Sequence, residues 1–256
     1  MTSLEPQQTR TYPEKPQQVY LFGTCIADIM YPESGMDAIT LLEREGIEVI
    51  YPQGQTCCGQ PAYNSGYEKE AKKVALHQIA QFPLDIPIVV ISGSCGGMMR
   101  HHYMDLLKDQ HDSDIEQFSE RIFEFTEFLH CVLKMQLTDK GSKTKVALHT
   151  SCAARREMGV HTTGKALLEQ LDKVQVVEPD RVKECCGFGG TFSVKHPDIS
   201  AAMVEDKSNN LIATTAPQYI SADWGCMMNI NGALEFKKSD LRGKHIASFL
   251  LERVKG

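Results

Sequence analysis

Residues 55–61 read QTCCGQP, and residues 184–190 read ECCGFGG. Each stretch sets two cysteines side by side and follows them with a glycine. Adjacent Cα atoms lie about 3.8 Å apart, whereas a disulfide usually needs roughly 4.4–6.8 Å between them. The paired thiols are therefore poorly placed to bond to each other. The glycine gives the backbone freedom to turn, so that both sulfurs can serve one site.

The cysteine spacing repeats along the chain. Eight of the nine cysteines form two quartets, each with a single cysteine, a vicinal pair and a second single cysteine. The first quartet comprises Cys25, Cys57, Cys58 and Cys95, and the second comprises Cys152, Cys185, Cys186 and Cys226. The flanks also match, since FGTC (22–25) resembles HTSC (149–152) and SGSCGGMM (92–99) resembles DWGCMM (223–228). Two vicinal pairs flanked at matching distances indicate an internal duplication.

The segments between the cysteines alternate between strand-like and helix-like patterns. Short runs rich in Val, Ile and aromatic residues predict strands at 19–23, 47–51, 86–92, 144–149, 174–179 and 218–223. Helices are predicted at 36–46, 67–82, 164–171, 199–215 and 245–254. Each quartet then maps onto a βαβαβ unit, with a cysteine at or just past the C-terminal end of every strand. That edge is where open parallel sheets bind ligands.

The sequence thus predicts an α/β protein of two pseudo-repeated lobes, each a small parallel-sheet unit. The predicted limits are a flexible N-terminal tail over 1–17, a first lobe over 18–110, a helical linker over 111–143 and a second lobe with a C-terminal helix over 144–256. Within the linker, segment 114–137 is helix-like and carries the ninth cysteine, Cys131. A lone cysteine on an apolar helix face is usually a small core residue.

Composition excludes several classes of partner. The formal net charge of -6 gives no electrostatic case for nucleic acid or an anionic membrane. No apolar run approaches the roughly 18 residues of a membrane helix. The polar, proline-bearing start lacks the apolar region of a signal peptide, so we expect a cytoplasmic protein with reduced thiols. Clustered cysteines there indicate metal or redox chemistry more often than disulfides.

Three interpretations of the thiols compete. Buried packing residues explain a single cysteine but not two matched quartets. Structural zinc is usually held by two short Cys-x2–4-Cys knuckles, so a vicinal pair with two distant cysteines is awkward for it, although zinc stays open at one site. Iron–sulfur clusters suit soft thiolate ligands, and adjacent sulfurs can reach different irons. The pattern favours iron–sulfur.

These motifs resemble the cysteine-rich CCG domain. Over residues 18–250 the chain is similar to the lactate-utilisation protein A family, and more distantly to the CCG-containing subunit of heterodisulfide reductase and the glycolate oxidase iron–sulfur subunit. The similar stretches are QTCCGQPAYNSGY (55–67), CCGFGGTFSVKHPDIS (185–200) and GCMMNINGAL (225–234). The resemblance implies an iron–sulfur electron-transfer subunit of an L-lactate-oxidising complex, which turns lactate into pyruvate. It also implies two partners, a ferredoxin-type iron–sulfur subunit and a third subunit.

One departure from the relatives bears on the chemistry. In the disulfide-reductase relatives the last motif is Cys-x-x-Cys, which gives a fifth thiol and an unusual noncubane cluster. Here Met98 and Asn229 stand at those fifth positions. Four thiolates suffice for an ordinary [4Fe–4S] cluster, so we expect one or two of these per chain. A disulfide-reductase-like catalytic subunit and a zinc-binding structural subunit remain the alternatives.

Several other polar residues lie close to the cysteines. His149 precedes Cys152 by three residues, and we expect a hydrogen-bonded core histidine. The basic runs 100–102 and 155–156 follow cysteines closely. Arginine there can offset cluster charge or bind a carboxylate, but a solvated face is the favoured interpretation.

Overall fold

The computed structural model describes residues 10–110 and 112–255 and divides them between two α/β lobes. The first nine residues of the predicted tail, 1–17, lie outside the described residues. Each lobe contains one sheet of four strands, and all neighbouring strands are parallel. Within the described ranges, no helix is long and apolar enough to cross a membrane.

The second sheet repeats the topology of the first. The strands of the first lobe are β1 (Gln18–Phe22), β2 (Glu48–Ile50), β3 (Ile88–Val90) and β4 (Ile122–Glu124). Those of the second lobe are β5 (Thr144–Leu148), β6 (Val174–Val177), β7 (Gln218–Ser221) and β8 (Arg242–His245). The spatial orders are β2-β1-β3-β4 and β6-β5-β7-β8. The predicted α/β fold with two pseudo-repeated lobes is confirmed.

Helices connect the strands and cover the sheets. Those of the first half are α1 (Cys25–Met30), α2 (Pro32–Arg44), α3 (Gln60–Asn64), α4 (Glu68–Ala80), α5 (Gly93–Gly97), α6 (Tyr103–Leu106), α7 (Asp112–Glu120) and α8 (Phe125–Glu127). Those of the second half are α9 (Cys152–Glu157), α10 (Val160–Glu169), α11 (Phe192–Lys195), α12 (Pro197–Ala213), α13 (Trp224–Phe236) and α14 (Ile246–Lys255). Single π-helical turns span Met98–His102 and Phe128–Val132. Residues 19–22 and 88–90 are buried, as is typical of parallel strands covered on both faces.

The structure corrects the sequence interpretation at two strands. Segment 114–137, which we predicted to be helical throughout, contains β4, whose three residues pair with β3. A three-residue strand between two helical segments leaves too short a pattern to stand out. Strand β8 escaped prediction because its sequence, RGKH, has little strand propensity. It lies at a sheet edge and pairs with β7 through its backbone.

The two lobes pack through the helices at the C-terminal edges of their sheets. Helix α5 of the first lobe lies against α9 of the second, and α1 contacts α13 in the equivalent arrangement. A Cβ atom on Gly93 would lie 2.3 Å from the Cβ of Ala154, so only glycine permits this approach of α5 to α9. The indole N–H of Trp224 donates to Ser34 Oγ across the lobes at 2.8 Å. The two cysteine-bearing edges therefore face each other.

Candidate metal centre

A cavity of about 220 Å³ lies between the two lobes. All eight predicted site cysteines line it: Cys25, Cys57, Cys58, Cys95, Cys152, Cys185, Cys186 and Cys226. Cys131 is not among the lining residues and lies beside Tyr12 and Glu127 instead. The structure thus brings both quartets to one place and leaves the ninth cysteine elsewhere.

The strand–helix junctions place the single cysteines. Cys25 and Cys152 are the first residues of α1 and α9, each shortly past the end of a strand. Cys95 and Cys226 are the third residues of α5 and α13. The C-terminal ends of parallel strands meet at one edge of a sheet. Cys25 and Cys95 therefore converge at the edge of the first sheet, and Cys152 and Cys226 converge at the edge of the second. A helix N-terminus also favours a thiolate, because its free N–H groups carry partial positive charge.

The glycine after each vicinal pair adopts a left-handed conformation, which accords with the turn expected from the sequence. The φ angles are 85° at Gly59 and 83° at Gly187. Each of these glycines donates its backbone N–H to the first sulfur of its pair, Cys57 or Cys185, at 3.4 Å. The turn therefore places a backbone donor against the first sulfur of each pair, and it does so in the same way in both lobes.

The four thiols of each quartet form the same chain of contacts. In the first lobe the order is Cys25, Cys57, Cys58, Cys95, and in the second it is Cys152, Cys185, Cys186, Cys226. Hydrogen bonds from Cys25 and then Cys58 lower the pKa of Cys57. Hydrogen bonds from Cys152 and then Cys186 likewise lower the pKa of Cys185. One thiolate per quartet is therefore stabilised by its own neighbours.

The positions of the missing fifth thiols have other roles. Met98 is fully buried in the core. The side-chain amide of Asn229 donates to the backbone carbonyl of Cys186 at 2.8 Å. In the first lobe the hydroxyl of Tyr103 donates to the carbonyl of Cys58 at 2.9 Å. In each lobe the backbone carbonyl of the second cysteine of the pair thus accepts a side-chain hydrogen bond, although the donor residues differ.

The donors present fit an iron–sulfur group better than a single ion. Within the described part of the chain, no three His, Cys, Asp or Glu side chains converge to hold one metal ion. Each quartet instead offers four thiols that line the cavity, together with a backbone N–H directed at sulfur. Iron–sulfur clusters are held by four thiolates and tuned by such hydrogen bonds.

The polar residues near the cysteines have distinct surroundings. His102 and Arg156 line the cavity, whereas Arg100 pairs with Glu127. His149 is buried as expected, but neither of its ring nitrogens has a hydrogen-bond partner within residues 10–110 and 112–255. Burial lowers the pKa of His149 to about 3, so the ring is neutral. It is a core residue rather than the hydrogen-bonded histidine we predicted.

Sequence reasoning missed Lys207 altogether. This lysine on α12 is 1 % exposed, and its ammonium donates to the backbone carbonyl of Arg181 at 2.8 Å. It lies near Cys186 and Cys226. The first lobe has a neutral residue in its place, but the burial of Lys207 follows only from the fold.

The comparisons with known proteins agree with the duplication. Residues 19–100 and 146–231 each match the family described as the CCG cysteine-rich domain. The chain is 42% identical to "Lactate utilization protein A" of Halalkalibacterium halodurans, over 91% of this chain and 96% of that protein. It is also 42% identical to the protein of that name from Shouchella clausii, over 91% of this chain and 98% of that protein.

A solved structure shares the fold. The crystal structure of a hypothetical protein from Helicobacter pylori superposes with a TM-score of 0.68 at 11% identity, covering 95% of this chain and 51% of that one. The chain therefore spans about half the length of that protein, and the likeness concerns the fold alone. Sequence identity is far greater among the lactate utilization relatives, and nearly their whole length is matched. The chain belongs to the lactate utilization protein A family and carries the CCG cysteine-rich domain twice.

Proposed function

We propose that the chain is an iron–sulfur electron-transfer subunit of a cytoplasmic complex that oxidises L-lactate to pyruvate. The observation that carries the proposal is the pair of matched thiol quartets on one inter-lobe cavity. The names of the relatives support the pathway, since they are lactate utilization proteins. The partners we propose are a ferredoxin-type iron–sulfur subunit and a third subunit.

Each quartet would hold one cluster, most simply [4Fe–4S], through its four thiolates. Such a cluster supplies one-electron redox chemistry when bound. Oxidation of lactate to pyruvate releases two electrons and two protons, so two one-electron sites match the electron count of one turnover. The eight cysteines hold the sites, and the N–H groups of Gly59 and Gly187 stabilise negative charge on sulfur.

The alternatives predict different metal contents. A zinc scaffold needs a tetrahedral set of ligands around one ion. A heterodisulfide-reductase-like subunit would need its cluster to cleave a bound disulfide, and the positions of the fifth thiol are taken by Met98 and Asn229. A vicinal pair with two distant single cysteines departs from the short Cys-x2–4-Cys knuckles of structural zinc, and the absent fifth thiols depart from the reductase pattern.

Anaerobic purification followed by metal and sulfide analysis tests the proposal. We expect about four irons and four acid-labile sulfides for each loaded quartet, with no stoichiometric zinc. The Cys131→Ser variant is the matched control, because Cys131 lies away from the cavity, and it should keep the full iron content. Stoichiometric zinc without iron or sulfide would contradict the proposal. Turnover of a disulfide by the isolated subunit would favour the reductase alternative.

A further inference from the structure

Two helices, α4 and α12, occupy equivalent places beside the vicinal pairs. A Cβ on Gly59 would lie 3.4 Å from Val74 of α4, and a Cβ on Gly187 would lie 3.0 Å from Met203 of α12. Each glycine follows its cysteine pair directly, so Val74 and Met203 are equivalent positions. The residues four places further along, one helical turn away on the same face, are therefore equivalent as well.

Those equivalent residues are Gln78 and Lys207. Gln78 is fully buried, and its side-chain oxygen accepts the backbone N–H of Thr56 at 2.9 Å. Lys207 is buried to nearly the same degree and donates to the carbonyl of Arg181 at 2.8 Å. Each side chain thus makes a hydrogen bond to the loop that precedes the cysteine pair of its own lobe. The first lobe thus has a neutral amide where the second has a buried ammonium.

Lys207 lies on α12, the helix that packs against Gly187 directly after the second vicinal pair. Burial lowers the pKa of Lys207, while Glu184 and the thiols of Cys186 and Cys226 oppose that shift and favour the ammonium. Glu184 is itself paired with Arg181, at 2.7 Å. Asp206 is also paired with Arg181, at 2.8 Å. Both carboxylates that favour the ammonium are thus shared with Arg181, whereas the two cysteines are not paired with it.

Other charges at the cavity also differ between the lobes, among them Glu157, which lies 3.3 Å from His102 of the first lobe. Arg156 lines the cavity as the fifth residue of α9, where the first lobe has Ile29 in α1. Arg156 is exposed, so solvent screens its charge. Asp223 acts in the opposite sense near Cys226, but it also accepts a hydrogen bond from Ser94 of the first lobe. Its charge is shared between the two lobes, whereas that of Lys207 is not.

We propose that Lys207 makes the second quartet the electron-accepting end of the chain, by raising the reduction potential of its cluster above that of the first. The inference rests on the proposed function. A buried cation stabilises the extra negative charge of a reduced site, since the interior screens charge weakly. With both quartets loaded, one electron would leave the group held by the first quartet, which would be oxidised, and enter the group held by the second, which would be reduced; no bond or proton would change. Oxidation of the 2-hydroxy acid supplies the electrons.

The test is an EPR-monitored redox titration of the anaerobically purified chain. The midpoints are assigned to each lobe in Cys58→Ser and Cys186→Ser backgrounds. Lys207→Gln, which installs the first-lobe residue, should lower the second midpoint and leave the first unchanged. We expect the equilibrium distribution of one electron between the lobes to change at least tenfold. This corresponds to a change of about 59 mV in the difference between the two midpoint potentials. The reciprocal Gln78→Lys variant should raise the first midpoint.

Lys207→Arg is the matched control, because it keeps the charge and should keep the second midpoint near that of the wild type. The iron content of each lobe shows whether a variant retains its site. If Lys207→Gln binds no iron in the second lobe, the Gln78→Lys variant still tests the inference. If neither substitution changes the midpoint of its own lobe, or if both midpoints shift together, the inference about Lys207 is wrong while the proposed function stands. A chain without iron and sulfide would overturn the proposed function as well.

Discussion

The carboxylate of Asp223, in the second lobe, accepts a hydrogen bond from the backbone N–H of Ser94, in the first lobe, at 3.0 Å. The same oxygen accepts from the hydroxyl of Ser151 at 3.0 Å, and the other oxygen caps α13 at the N–H of Cys226. Ser94 precedes Cys95, and Ser151 precedes Cys152. One buried carboxylate therefore fixes the chain beside three cysteines from both quartets.

Replacing this carboxylate should weaken the contact between the lobes. In Asp223→Asn, one acceptor oxygen becomes an amide donor that faces N–H groups. We expect the free energy of unfolding to fall by about 1–3 kcal/mol, as for other buried donors left without a partner. Urea unfolding measures the change. Asp240→Asn, at an exposed position, is the control and should stay within about 0.5 kcal/mol of the wild type. Equal effects of the two variants would refute this role of Asp223.

The glycines after the vicinal pairs should not tolerate a side chain. Both have positive φ angles, which cost a non-glycine residue about 1–2 kcal/mol. Gly187→Ala should cost more than Gly59→Ala, because its Cβ would lie 2.7 Å from the carbonyl oxygen of Ser200. The nearest atom to a Cβ on Gly59 is a methyl of Val74 at 3.4 Å. Thermal unfolding of the two variants measures which is the more destabilised, and we expect the lower Tm for Gly187→Ala.

Gly232→Ala is the control for these substitutions. Gly232 lies within α13, and none of the described residues approaches its Cβ position within 4 Å. Alanine there should stabilise the chain by about 0.5–1 kcal/mol, through higher helix propensity. If Gly187→Ala were as stable as Gly232→Ala, the left-handed turn beside the second pair would not be required.

Glu124 should make the stability of the first lobe depend on pH. Its side chain is fully buried, and Oε1 has no hydrogen-bond partner within residues 10–110 and 112–255. Burial raises the pKa of Glu124 from 4.5 to about 7. Between these values the folded chain binds more protons than the unfolded chain, so stability falls as pH rises from about 4.5 to 7. The loss is on the order of 3 kcal/mol.

The Glu124→Gln variant measures this contribution directly. Glutamine is neutral at every pH, so the difference in free energy of unfolding between wild type and variant should decline across that window and level off above it. Glu235→Gln, at an exposed position of α13, should show no such trend. A constant difference between wild type and Glu124→Gln would show that the carboxyl of Glu124 titrates normally.

Local sequence pattern was sufficient to predict how each quartet assembles. The strands rich in Val and Ile, such as Ile88–Val90, determine where the parallel sheets end and hence where the cysteines meet. The turn at Cys57-Cys58-Gly59 could be predicted because two neighbouring thiols can serve one site only where the backbone turns. The strand ends and the turn each depend on residues close together in sequence, so local pattern reveals them even though the cysteines of one quartet are far apart.

The junction of the lobes could not be predicted in the same way. The shared cavity depends on contacts such as Gly93 with Ala154 and Trp224 with Ser34, which join residues distant in sequence. No periodic pattern records such pairs. The buried Lys207 was missed for a related reason, since it stands on an ordinary polar helix until the fold places it beside the second quartet.

We propose that the two quartets hold two separate clusters. EPR spectroscopy of the dithionite-reduced, anaerobically purified chain tests it most directly, with Cys58→Ser, Cys186→Ser and the Cys131→Ser control compared with the wild type. We predict that Cys58→Ser removes only the signal of the first lobe, that Cys186→Ser removes only that of the second, and that Cys131→Ser changes neither. Loss of all signal from either single-lobe variant, or a chain with zinc and no iron–sulfur signal, would contradict the claim.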